Sequence, residues 1–191
     1  MPHPRRLAVT LAIALLALPA VLLAPGCGAT PKTAEDRAAK IEQAERTLET
    51  MKAKDASLSG VLDDAYGWAV FSTVGRGALI VGGEGGGGIV FERGEPWGSA
   101  TLAKGSIGLQ IGGEAYSELV IFMTEQAFRS FTAGDFSFTA GLSATGIKAG
   151  AALATPIESG MKVLVMTKGG LMASAAVGGQ DFSCTPFGSA E

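Results

Sequence analysis

From Tyr66 onward, glycine cuts the chain into short apolar runs. WAVFSTV, GALIVGG, GGIVFER, WGSATLA, GSIGLQIGG and ELVIFMT follow one another. Most are five to eight residues long and rich in Val, Ile and Phe. Runs of this length are short for helices, and β-branched and aromatic side chains suit a pleated surface. The pattern therefore predicts successive strands with hairpin-like connections. Residues 90–93 followed by Gly94-Glu95-Pro96 read as a strand closing into a turn. The 28 glycines in 191 residues are roughly twice the usual share, while proline is sparse in the later chain. That balance fits tight turns, bulges and closely approaching strands better than proline-glycine disorder.

The pattern before Tyr66 is helical. Thr33 can cap a helix, with Asp36 three places on, and Glu35 and Asp36 suit the positive end of a helix. Ile41, Ala44, Leu48 and Met51 then recur at helical spacing and predict a helix over 34–54 with a narrow apolar stripe. The stripe has two readings: it packs on the body of the domain, or it lies on lipid or a partner. Its polar face mixes both charge signs, so its attraction to anionic lipid would be weak. A second short helix is expected over 58–65. A third covers 124–131, capped by Thr124, burying Ala127, Phe128 and Phe131, and ending before Gly134. MKVLVMT and GLMASAAVG read as closing strands joined at Lys168-Gly169. Residues 140–154, mostly small, fit either a pair of edge strands or a loop, and the chain is expected to fray from Thr185. The expected fold is α+β: mainly an antiparallel sheet, with a curled or barrel-like form open to it, an N-terminal helix and one short inserted helix.

The first residues set the compartment. Arg5 and Arg6 precede an almost wholly apolar run over 7–23, and Ala24-Pro25-Gly26-Cys27 follows. A charged start, a short apolar core and small residues before a cleavage point make a secretory signal. Cys27 stands where a bacterial lipobox cysteine would receive a diacylglycerol and further acyl chains such as palmitate. Ala24 holds the place usually taken by Leu, and Leu23 is one step early. The plainer alternative is ordinary cleavage near the same point, leaving a thiol. Gly28 is not the Asp that marks inner-membrane retention, which points to an outer membrane, facing the periplasm. The expected organisation is a signal over 1–26, a tether over 27–32, one domain over 33–187 and a tail over 188–191.

Cleavage before Cys27 also bounds the chemistry. Thirteen basic residues then face 18 acidic ones, a net charge of −5 with no basic block, which disfavours nucleic acid. The only histidine, His3, leaves with the signal. No Ser-His or Cys-His nucleophile pair and no histidine-containing zinc site is left to build. With Cys27 acylated, Cys184 has no intrachain partner, so a disulfide framework is excluded, and Cys184 reads as a strand-end residue.

Gly83, Gly85 and Gly88 form a formal GxGxxG, but Ile89-Val90-Phe91 follows where a nucleotide loop needs a helix. The glycine run 82–88 is therefore expected to be a turn between strands, with no nucleotide and no cofactor. Ser106 in KGSIG lacks the first glycine of a nucleophile elbow. Asp63-Asp64 reads as a solvated helix end, and nothing favours Glu84, Glu114 or Glu118 as a catalytic pair. These observations point away from an enzyme. Lys104, Lys148, Lys162 and Lys168 stand at or beside glycine-rich turns. They are either isolated surface lysines or, if the turns gather at one end of the sheet, a cationic rim for lipid headgroups.

The string AYGWAVF at 65–71, the glycines from Gly75 to Gly83, GSIGLQIGG at 105–113 and KGGLMA at 168–173 resemble, in this order, the motifs of the SYLF domain family. The resemblance spans roughly residues 42–182. It implies a non-catalytic lipid-binding domain, which in eukaryotic members binds phosphoinositide membranes and in some members actin. In bacterial members it implies a secreted or lipid-anchored protein. Membrane lipids are the implied partners, with another envelope protein as the alternative; actin does not suit an envelope protein. Gly86 and Gly87 replace bulkier residues of the family pattern, Met166-Thr167 stands where an aromatic-serine pair is common, and Ala173-Ser174 replaces its closing Ala-Gly.

Overall fold

A computed structural model of the chain describes residues 31–76, 81–107, 115–134, 152, 155, 157, 159–168, 170–174 and 180–188. Helix α1 (Ala34–Lys54) starts at Thr33, whose hydroxyl accepts the Asp36 amide at 3.0 Å. Helix α2 (Ser57–Asp63) follows after one turn. Then come β1 (Gly67–Arg76), β2 (Val81–Glu92), β3 (Glu95–Ile107) and β4 (Ala115–Phe122). Helix α3 (Glu125–Ala133) has Thr124 as its cap, and Gly134 closes it in the left-handed region at φ 76°. The chain ends with β5 (Met161–Thr167), β6 (Gly170–Ser174) and β7 (Gln180–Pro186).

The seven strands form one antiparallel sheet in the order β6-β5-β4-β1-β2-β3-β7. Both faces are covered. Ala69, Phe71, Val90, Leu102, Val120, Phe122, Val163 and Phe182 meet α3 on one side. Val70, Ile89, Phe91, Leu119, Ile121, Leu164 and Leu171 meet α1 and α2 on the other. The alternation along β4 and β5 is the two-residue period of a strand buried on both faces. In β1 the phase slips at a bulge between Phe71 and Val74, and the Ser117 hydroxyl donates to the Ser72 carbonyl there at 2.8 Å.

The sheet is curled and open. Phe131 of α3 lies 4.7 Å from the Phe122 ring on β4 and 4.8 Å from the Phe182 ring on β7. Those two rings are thus within about 10 Å of each other, although four strand spacings of a flat sheet span about 19 Å. The sheet bends around α3, with β6 and β7 as its edges and no closure into a barrel.

Two expectations are corrected. The glycine run 82–88 is not a turn. It lies inside β2, paired residue for residue with β3 from Gly82↔Ser106 to Gly88↔Ala100. A side chain at Gly88 would meet the Phe71 ring at 2.7 Å and the Val70 carbonyl at 2.8 Å, and one at Gly86 would meet the Thr73 carbonyl at 2.6 Å. Glycine at 88 leaves room for the Phe71 ring of the next strand, and glycine at 86 for the backbone of β1. The chain also does not fray at Thr185: that residue pairs with Ser99, Pro186 pairs with Gly98, and the Phe187 amide donates to the Trp97 carbonyl at 3.0 Å. β7 has the alternating burial of an edge strand, with only Phe182 as a large apolar anchor, and so escaped the sequence pattern.

Candidate functional site

The apolar stripe of α1 is used up inside the domain. Ala44, Leu48 and Met51 are buried, Ile41 is half-buried, and all four pack on the cluster that includes Val70, Ile89 and Leu119. The reading in which this stripe lies on lipid is therefore corrected: the sheet occupies it. The outer surface of the helix is charged and carries the pairs Arg46–Glu42 and Lys52–Glu49.

The lysines do not form one rim. The sheet has two ends: one carries the β2–β3 turn at Arg93-Gly94, the other the β5–β6 turn at Lys168. Lys168 is exposed at the second end. Lys104 stands toward that end in β3, opposite Glu84 of β2 and Gln180 of β7. Lys162 is at the first end of β5 and is buried, with its Nζ donating to the Ala152 carbonyl at 3.1 Å. Its pKa is lowered because burial penalises the charged ammonium. Lys162 thus departs from the expected headgroup contact: the side chain is turned under α1 and α2. Cys27 and Lys148 lie outside the described residues.

Three polar groupings were not found in the sequence as units. Asp55, at the C-terminal cap of α1, is 3 % exposed. Its Oδ1 accepts the Ser57 amide at 3.0 Å and hydroxyl at 2.7 Å, and its Oδ2 accepts the Ala152 amide at 2.8 Å. Asp55 and Lys162 thereby hold the backbone of Ala152 from both sides. The Asp-x-Ser spacing was the only local signal for this. On the concave face, Glu118 and Gln180 are each 1 % exposed, and the Gln180 amide donates to Glu118 Oε2 at 3.2 Å. At the β2–β3 end, the Tyr66 hydroxyl donates to Glu92 at 2.8 Å, and Arg129 donates to Glu92 at 3.0 Å and to Glu125 at 3.4 Å. The hydrogen bond to Glu92 is the main cause that raises the Tyr66 pKa. These contacts bind elements together. Among the described residues no three acidic, cysteine or histidine side chains gather to hold a metal ion.

Cys184 is half-buried in β7, its Sγ 3.7 Å from the Phe131 carbonyl, and burial pushes its pKa from 9.0 up to about 12. A thiol this protonated is a poor nucleophile. The fold holds the proton more tightly than the unfolded chain does. Stability should therefore be intact below pH 9 and fall as pH rises toward about 12, by at most about 1.4 kcal/mol per pH unit. Urea unfolding between pH 8 and pH 11 checks this: the Cys184→Ala chain should lose less stability over that range than the parent. Equal slopes would refute the assignment.

No helix of the described residues is long and apolar enough to cross a membrane. No curated protein matches the chain. Residues 103–184 match the family model described as Ysc84, a Las17-binding protein actin regulator. The match runs from within β3 to within β7 and takes in the strings at 105–113 and 168–173, while the string at 65–71 precedes it. Its strands flank β1 and β2, which lie at the centre of the sheet, so the matched residues depend on the strands before them for a continuous structure. Residues 103–184 are thus similar to the Ysc84, or SYLF, family.

Proposed function

We propose that this is an exported, non-catalytic binding protein of the cell envelope, fastened by acyl chains on Cys27, whose SYLF domain binds membrane lipid. The family match over 103–184 supports the reading: the matched model is described as a Las17-binding actin regulator, and lipid binding is what the resemblance of the strings at 65–71, 105–113 and 168–173 to the SYLF family implies. An envelope location leaves lipid as the reachable partner of the two. The signal-like start and the placing of Cys27 just before the helix supply the anchor: each buried methylene contributes about 0.8 kcal/mol, so two or three chains hold a protein firmly. The absence of histidine from the mature chain supports contact in place of turnover.

The test is co-sedimentation of the mature Cys27→Ser chain with vesicles, some zwitterionic and some anionic. Measurable binding to at least one composition is expected, and salt should strengthen rather than weaken binding to the anionic vesicles, because it screens their repulsion of a chain with net charge −5. Binding to none of them would remove the lipid-binding reading. A second reading is favoured by the burial of Leu48 and Met51. In it the domain is a structural or protein-interaction module and the Cys27 lipid supplies all membrane affinity. A soluble Cys27→Ser chain that binds no vesicle, yet forms a stoichiometric complex with one envelope protein, would establish that reading.

A further inference from the structure

The short link from Cys27 to the first helix decides which end of the sheet meets the anchoring bilayer. Six residue steps separate Cys27 from Thr33, at most about 20 Å when fully extended. The start of α1 lies at the β2–β3 end of the sheet: the Arg37 guanidinium sits 4.6 Å over the Phe187 ring, and Phe187 is tied to Trp97 just after β3 begins. Gly67, Glu92, Phe122 and Met161 form one paired row across β1, β2, β4 and β5 at this end. Lys168 is seven residues beyond that row along β5, about 23 Å; Lys104 is nine residues beyond Glu95 along β3, about 30 Å. With the strands upright on the bilayer that holds Cys27, a link of about 20 Å reaches only if the near end is down, because the opposite pose would put the start of α1 about 23–30 Å away.

The near end also has the chemistry of a membrane–water interface. Tyr66, Trp97 and Phe187 are each half-buried there, and Arg93 lies 4.9 Å over the Tyr66 ring as Arg37 lies over Phe187. Aromatic rings with an apolar body and a wet edge, accompanied by arginine, suit the headgroup level. Glu35, Asp36, Glu92, Glu95 and Glu125 offset the cations here, so charge attraction is not the driving force.

The geometry points to a bilayer-docking surface at the end of the sheet formed by the α1 start, the Arg93-Gly94 turn and Phe187, with the Lys104 and Lys168 end held away from the anchoring membrane. This rests on the proposed anchoring at Cys27. It deepens that reading, since any lipid reached by the Lys168 end must then come from somewhere other than the anchoring leaflet.

The experiment couples the mature chain through the Cys27 thiol to a maleimide-headgroup phospholipid in phosphatidylcholine vesicles. Amide hydrogen exchange is then compared with that of the uncoupled chain. Slower exchange is expected at 93–97 and 187–188, with no change at 165–171. Protection at 165–171 equal to or greater than that at 93–97, or no protection at either end, would overturn the proposal. Native anchoring is judged separately, by the mass of the N-terminal peptide from membrane-extracted protein. An unmodified Cys27 there would remove the anchoring reading, while the coupled chain would still report which end docks.

Discussion

Replacing Phe131 with alanine is expected to destabilise the domain by about 3–5 kcal/mol, the range for truncating a fully buried phenylalanine. A domain of this size has about 5–15 kcal/mol of stability in all, so the variant should be marginal. Phe131 projects from a helix of only nine residues and touches Phe122 on β4 and Phe182 on β7, with four strand spacings between them. Phe128 also joins α3 to both sides, through Phe122 on β4 and Trp97 on β3, but among the described α3 rings it is Phe131 that reaches β7. Its backbone carbonyl, which accepts from Cys184, is kept in the alanine variant, so the loss is one of packing. The measurement is a urea midpoint with the transition slope held free, together with near-ultraviolet circular dichroism for the order of the remaining rings. A loss below about 1 kcal/mol would mean that β7 is held by its ladder to β3 alone, and that the curl does not depend on α3.

The parts of the fold that depend on local chemistry were legible in the sequence. α1 begins and ends as the spacing of Ile41, Ala44, Leu48 and Met51 predicts, and α3 has its cap at Thr124 and its left-handed stop at Gly134. The parts that depend on what a residue meets across the sheet were not. β7 looked like a fraying end because one large side chain, Phe182, anchors it; what makes it a strand is the free edge of β3 seven residues long. The stripe on α1 was visible, but a periodic stripe is the same whether a sheet or a bilayer covers it; only the surface of Val70, Ile89 and Leu119 decides between them. The lysines were grouped because each stands near glycine. Strand direction then put Lys162 and Lys168 at opposite ends of one strand and folded Lys162 inward to the Ala152 carbonyl. The grip of Asp55 and Lys162 on one backbone residue joins three distant stretches and leaves no trace at any single position.

Substituting valine for Gly88 is expected to cost about 2 kcal/mol, and the sign follows from two opposed effects. Valine suits a strand better than glycine by about 1 kcal/mol, because glycine loses more backbone freedom on folding and packs nothing. Against this, a Cβ at residue 88 would stand 2.7 Å from the Phe71 ring and 2.8 Å from the Val70 carbonyl. The ring has no room to retreat, being fully buried and 5.7 Å from the Phe182 ring. The carbonyl belongs to the residue paired with Ile89, so it moves only if β1 and β2 part. Overpacking of this kind costs about 1–3 kcal/mol, and the two further methyl groups of valine push it to the upper end. The outcome also separates two accounts of the glycine run. In a turn exposed to solvent, or in a loop waiting for a phosphate, valine at residue 88 would leave the urea midpoint nearly unchanged. In a strand that gives up its side chains so that Phe71 can fill the concave face, the midpoint falls and the ordered aromatic signal falls with it. A midpoint within about 0.5 kcal/mol of the parent would mean that Phe71 does not lie over Gly88 in solution.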